Sequence, residues 1–121
     1  MQPWIMIQTG MVTGWEDKMN IREELGKRML FFDGGLGSLL QARGLKPGEL
    51  PETWNLSKPE ELLAIHKEYL EAGADIILAN TFGANRFKYD HLQEIAEAAV
   101  KNAKKAAEEC GRNAYVALDL G

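Results

Sequence analysis

The feature that most restricts this chain is an alternation of short, unbroken apolar runs with longer amphipathic stretches. Met29-Leu30-Phe31-Phe32 leads into Asp33-Gly34-Gly35, Asp75-Ile76-Ile77-Leu78-Ala79 into Asn80-Thr81, and Tyr115-Val116-Ala117-Leu118 into Asp119-Leu120-Gly121. Runs of this kind fit strands buried on both faces, as in a parallel sheet covered by helices. Strand, helix, strand, helix, strand in that order implies right-handed crossovers between parallel strands, hence an α/β class. Three strands cannot close a barrel, and left open they have two exposed edges. The run Tyr115–Leu118 also stands directly at the end of the 121 residues, where a helix should begin. A domain truncated after its third strand is therefore expected.

Between the runs the helix signals are local. Asn20 to Lys27 reads as a short helix with Asn20 as N-cap and Glu23 completing a capping-box-like pair. Leu36 to Arg43 reads as another, stopped by Gly44, and Lys46 to Asn55 as a loop marked by Pro47-Gly48 and Pro51. Ser57-Lys58-Pro59-Glu60 offers a capping box and an early proline to the next helix. There Leu62, Ile65, His66, Tyr69 and Leu70 recur at helical spacing until Gly73. Asp90 with Gln93 is expected to cap a long helix with Ile95, Ala99, Ala103, Ala106 and Cys110 on its inner face and Gly111 at its end. Residues 1–18 show neither period nor caps and are expected to be a non-native or disordered extension, leaving 19–121 as the partial domain. Met19 is read as the natural start, because Gly14 to Met19 is codable by a stretch resembling a bacterial ribosome-binding site before ATG.

Composition excludes several function classes. A net charge of −4 with 14 Lys and Arg against 18 Asp and Glu argues against nucleic acid, which wants a basic surface. The densest basic group, Lys101, Lys104 and Lys105, lies among glutamates on a helix and reads as a solvated face. No apolar run approaches the roughly 18 residues that would span a membrane. The apolar segment Met1 to Met11 lacks the basic start of a signal peptide. One cysteine, Cys110, permits no intrachain disulfide, so a reducing, cytoplasmic setting is expected.

In α/β folds chemistry sits at the carboxyl ends of the strands. The loop Asp33-Gly34-Gly35-Leu36-Gly37-Ser38 combines a strand-end acid with glycines and a helix start. Backbone amides there suit a carboxylate, and Asp33 suits an ammonium, which together are the needs of an α-amino acid. The competing reading is a tight turn with Asp33 capping the helix. The loop is neither a P-loop nor a dinucleotide fingerprint, since the Gly-Lys-Ser/Thr ending and a glycine at position 40 are missing. Asn80, Thr81 and Phe82 either line a small polar substrate's pocket or make ordinary loop bonds. Asp119 either faces the same pocket as Asp33 or caps a following helix. His66 and Cys110 read as packing residues. Two histidines and one cysteine, widely scattered, meet no zinc-ligand spacing.

Taken in order, Phe31-Phe32-Asp33-Gly34-Gly35-Leu36-Gly37-Ser38, Trp54-Asn55-Leu56 with Pro59-Glu60, His66 to Asp75, Asn80 to Arg86 and Ala117 to Gly121 resemble the homocysteine S-methyltransferase family. The likeness is to the homocysteine-binding barrel of cobalamin-dependent methionine synthases and their relatives. It implies that the chain forms the first three units of a (β/α)8 TIM barrel, from about Met29 to Gly121. It implies further that Asp33 binds the homocysteine amino group, that amides around Gly35 to Ser38 take its carboxylate, and that Asn80, Thr81 and Phe82 line the pocket. Ser38 stands where many relatives have threonine. The family's zinc-binding cysteines come from later strands, so the fragment alone is expected to be inactive. Methylcobalamin, held on a donor domain or protein, is the implied methyl source. The alternative is a non-enzymatic partial barrel that binds amino acids or self-associates through its strand edges.

Overall fold

The computed structural model describes the backbone of Ile7–Thr9 and residues 20–120. Its sheet has three strands, β1 (Ile7–Thr9), β2 (Ile76–Leu78) and β3 (Tyr115–Ala117), in the order β1-β3-β2. β2 and β3 are parallel, with Ile76 opposite Tyr115 and Leu78 opposite Ala117. β1 is antiparallel to β3, with Ile7 opposite Ala117. The sheet is therefore mixed, where three parallel strands are expected. Of the stretch 1–18 read as an extension, Ile7–Thr9 is this paired strand, and its other residues lie outside the described residues, as do Met19 and Gly121.

The run Met29–Phe32 does not become a ladder strand. It lies along β2 through one parallel bridge, Phe32 to Ile76. Around the bridge, Asp33 N–H donates to Ile76 O at 2.9 Å and Asp75 N–H to Phe31 O at 2.8 Å. Met29, Phe31 and Phe32 are 73%, 55% and 60% exposed, which corrects the expectation of burial on both faces. A parallel strand is buried when neighbours and helices cover it on every side, and among the described residues this edge has a partner on one side alone. The segment is pinned instead by Asp75, whose carboxylate accepts from Phe31 N–H at 2.9 Å and from Arg28 at 3.1 Å. Burial pushes the Asp75 pKa up, but these donors outweigh it and hold the carboxyl below its ordinary range.

The helices are α1 (Ile21–Glu24), α2 (Gly37–Ala42), α3 (Trp54–Ser57), α4 (Pro59–Glu71) and α5 (Leu92–Cys110). Asn20 caps α1 as expected, its side chain accepting from Arg22 N–H at 3.0 Å. The expected caps of α4 and α5 do not form. Ser57 ends α3 and donates back to Thr53 O at 3.1 Å, leaving Pro59 at the first position of α4 to carry the start signal. His91, without a side-chain cap bond, precedes α5 where Asp90 is expected to cap it. The stops are as expected: Gly73 follows α4 at φ +110° and Gly111 ends α5 at φ +65°, both left-handed positions that suit glycine. The stretch Lys46–Asn55, read as a loop, contains a 3-10 turn at Pro51–Thr53 and the start of α3. Burial of Trp54, whose indole N–H donates to Glu49 at 2.8 Å, organises it.

Three apolar clusters hold these elements. Ala99, Ala103, Ala106 and Ala107 of α5 meet Leu70, Ile77 and Val116, and their small side chains let the helix lie close to the sheet. Leu40, Leu45, Trp54, Leu62 and Ile65 join α2, α3 and α4. Ile76, Tyr115 and Ala117 form the opposite face of the sheet, with Ile21 and Leu30 against them.

His66 is buried at 1% exposure on α4, and neither ring nitrogen has a hydrogen-bond partner. Burial pushes its pKa down from 6.5 to about 4. Between those values the unfolded chain binds the proton that the folded chain refuses, so this residue makes stability fall as pH drops from 6.5 towards about 4. H66L should stabilise the fold at pH 7 by roughly 1–2 kcal/mol and remove this acid-side slope. Urea unfolding of both proteins at neutral and acid pH checks it, and parallel pH dependences would contradict the assignment.

Candidate functional site

The carboxyl ends of β2 and β3 and the bridge at Phe32 converge on a cavity of about 290 Å³. Asp33, Gly34, Gly35, Leu36, Gly37, Asn80, Thr81, Phe82 and Asp119 all line it, so the strand-end loops do meet. Ser38 is exposed and is not among the lining residues. Leu40, Pro51, Glu52, Leu78 and Ala79 complete the wall, in which no lysine, arginine or histidine stands among the described residues.

Asp33 is the centre of the site. Its Oδ2 accepts from Leu78 N–H at 3.0 Å, which fixes the side chain against the end of β2. Its Oδ1 is buried and has no hydrogen-bond partner among the described residues. Burial pushes the Asp33 pKa up from 3.8 to about 6, against the opposing pull of the Leu78 amide. At neutral pH the group is thus a carboxylate that, among the described residues, has one oxygen without a donor and no cationic side chain in the wall around it.

The glycine turn is held from behind by α4. Tyr69 OH donates to Gly35 O at 2.6 Å. A Cβ on Gly34 would stand 2.9 Å from that hydroxyl, so the close approach requires glycine there. Leu36 precedes α2 without a side-chain cap bond, and the first-turn amides of α2 accordingly have no side-chain acceptor.

Asn80 and Thr81 line the cavity, but the Asn80 amide nitrogen and the Thr81 hydroxyl are engaged elsewhere. Asn80 Nδ2 donates to Pro51 O and to Asn55 Oδ1, both at 3.0 Å. The Thr81 hydroxyl donates to Asp119 O at 2.7 Å and accepts from Asp119 N–H at 3.0 Å. These bonds tie the β2 end to the 3-10 turn and to the β3 end. Phe82 stands at the cavity 76% exposed, and Asp119 lines the same space.

Glu52 is the wall residue that sequence reasoning missed. It is 3% exposed, accepting from Gly83 N–H at 2.5 Å and from Tyr89 OH at 2.7 Å. Its local signal is faint, a Pro-Glu pair before Trp54 in a stretch that reads as loop. Cys110 packs at the edge of the alanine cluster, as expected of a packing residue. Among the described residues no three His, Cys, Asp or Glu side chains group to hold a metal. A larger groove of about 690 Å³ runs along α5 past Ala96, Val100, Lys104 and Leu118. It contains none of the converging strand-end groups, so the smaller cavity is the chemical candidate.

Comparison with known proteins bears on what this cavity belongs to. The family model for homocysteine S-methyltransferase matches residues 30–121, most of the chain. The chain belongs to the homocysteine S-methyltransferase family. Within it, the chain is 30% identical over 117 residues to methionine synthase of Mycobacterium tuberculosis, covering 84% of this chain and 10% of that protein. It is 31% identical over 104 residues to methionine synthase of Mycobacterium leprae, covering 74% of this chain and 8% of that protein. Its fold resembles that of the homocysteine methyltransferase MmuM from Escherichia coli in its oxidised form, with a TM-score of 0.61 at 24% identity, over 74% of this chain and 34% of that one. The metallated form of the same protein superposes with a TM-score of 0.60 at 23% identity, again over 74% and 34% of the two chains. The chain thus spans about a tenth of the methionine synthases and about a third of MmuM. Its α/β architecture corresponds to part of the larger enzyme.

Proposed function

We propose that this chain is the homocysteine-binding part of a zinc-dependent homocysteine S-methyltransferase, made of the first three units of a (β/α)8 barrel. The observation that carries the reading is Asp33 Oδ1, buried and, among the described residues, without a hydrogen-bond partner or a cationic side chain in the wall around it. An ammonium group placed there supplies the missing donors, and the first-turn amides beside Gly35 and Gly37 suit the carboxylate of the same amino acid. Asp33 and the glycine turn then fix one end of homocysteine, while Phe82 offers apolar cover towards its thiol arm.

Methyl transfer to sulfur needs a thiolate, whereas a free thiol with pKa near about 8.5 is mostly protonated at neutral pH. The resemblance implies zinc to lower that pKa, but the described residues offer no ligand group and do not fit the metal. The zinc ligands, and methylcobalamin with its domain, are accordingly assigned outside this chain, which binds and orients but does not transfer methyl by itself. Among the described residues no helix is long and apolar enough to cross a membrane, and a cytoplasmic setting accompanies the reading.

Calorimetry with L-homocysteine and with 4-mercaptobutyrate, which lacks the amine, tests the proposal. Binding of homocysteine and marked weakening with the des-amino acid are expected. Equal binding of the two, or no binding of homocysteine, overturns it. One observation favours a second reading, self-association: the exposed Met29, Phe31 and Phe32 along an uncovered sheet edge. A compact small oligomer in sedimentation velocity supports that reading, and a monomer at all concentrations removes it.

A further inference from the structure

We propose that Glu52 is a positioning residue of this pocket, holding the loop Asn80 to Asn85 against the cavity that contains Asp33. The inference rests on the homocysteine reading only for the ligand, since the positioning is argued from contacts within the chain.

Glu52 sits in the 3-10 turn Pro51–Thr53, across the cavity wall from the strand ends. A carboxylate 3% exposed is costly unless its oxygens find donors, and both do. Oε1 takes Gly83 N–H, and Oε2 takes the hydroxyl of Tyr89, itself 5% exposed. Among the described residues no lysine or arginine pairs with it. The charge is therefore compensated by hydrogen bonds from the loop and from Tyr89, just beyond it. The neighbouring Pro51 O accepts from Asn80 Nδ2, so one short turn grips the segment at positions 80, 83 and 89.

Gly83 shows how close this grip is. A Cβ there would stand 2.7 Å from Glu52 Oε1, so any larger residue would push the carboxylate from its present place. Phe82 precedes that amide and stands largely in solvent at the cavity, so its place over the pocket depends on where Gly83 is held. Without Glu52 a half-buried N–H and a buried hydroxyl lose their acceptor, and the loop has reason to move. Glutamine keeps one oxygen for Gly83 and removes the charge, which separates positioning from a purely electrostatic effect.

The test uses the 121-residue chain as wild type, E52A, E52Q and Y89F. Two readouts are followed, amide exchange and chemical shift at Gly83 by NMR and homocysteine affinity by calorimetry. In E52A the Gly83 amide proton should move upfield and lose protection, and affinity should fall about ten- to a hundredfold. E52Q should restore most of both, and Y89F should keep the Gly83 signal near wild type. An unchanged Gly83 amide in E52A overturns the proposal, as does an E52Q affinity as poor as that of E52A. Should E52A fail to fold, E52Q and Y89F decide alone: a wild-type-like Gly83 signal in both supports positioning, and its loss in E52Q overturns it. A wild type that ignores homocysteine while Gly83 responds to E52A sinks the ligand assignment and supports the loop's dependence on Glu52.

Discussion

D33N is expected to weaken homocysteine binding about ten- to a hundredfold while leaving the chain folded. Asparagine has nearly the same shape, and its carbonyl oxygen still accepts from Leu78 N–H, the bond that seats the side chain. What disappears is the charge at Oδ1, the atom with no partner in the unliganded chain. A charge-assisted hydrogen bond to an ammonium is worth about twice a neutral one, so this loss outweighs any small adjustment of the turn. Stability should move the opposite way. The folded-state pKa of Asp33 is raised from 3.8 to about 6, so in that interval the native chain holds more protons than the unfolded one. Its contribution therefore improves as pH falls through about 6, and at pH 7 the buried charge is a liability that asparagine removes. D33N should thus melt at or above the wild-type temperature at neutral pH. Homocysteine binding by wild type should strengthen as pH rises through about 6, when Asp33 ionises, and D33N should lack that step. Calorimetry and thermal melts between pH 5 and 8 give both readouts; wild-type affinity in D33N would remove Asp33 from the site.

N55A is expected to cost about 3 kcal/mol, the largest stability loss of any substitution considered. Asn55 is 2% exposed at the junction of α3, α5 and the β2 loop. Its Nδ2 donates to Asn80 O at 2.9 Å and to Ile95 O at 3.3 Å, and its Oδ1 accepts from Asn80 Nδ2 at 3.0 Å. Its own carbonyl takes Asn102 Nδ2 at 3.0 Å. Alanine keeps that last bond and deletes the others, leaving the buried Asn80 carbonyl short of a donor, while Ile95 O keeps its bond within α5 and Asn80 Nδ2 loses one of its two acceptors. Each unsatisfied buried group costs roughly 1–3 kcal/mol, partly relieved by the bond Asn80 keeps to Pro51. Chemical denaturation of wild type and N55A measures the difference; a loss below about 1 kcal/mol would mean that this network relaxes freely and does not hold the loop.

Much of the site was legible because strand-end loops are written locally. Asp33 after an apolar run, followed by Gly34, Gly35 and Gly37, announces a strand-end turn into a helix, and these residues do line one cavity. Asn80 and Thr81 were legible as neighbours of the cavity but not in what they do there. Whether an amide faces a substrate or a scaffold depends on partners far away in sequence, here Pro51, Asn55 and Asp119. Glu52 was hidden for the same reason: its partners, Gly83 and Tyr89, lie more than 30 residues away.

The residue order alone determined the α/β alternation, the two parallel strands joined through α5, and the glycine stops at Gly73 and Gly111. Each follows from apolar period or from a backbone angle that glycine adopts without strain. Tertiary structure decided the rest. Asn20 kept its cap, but Ser57 and Asp90 gave theirs up, Ser57 because it serves another helix end. The apolar run at Phe31 and Phe32 met one partner strand among the described residues, so its side chains stayed in solvent. A short polar side chain can bond any of several nearby backbone groups, and the folded chain decides which of them it takes.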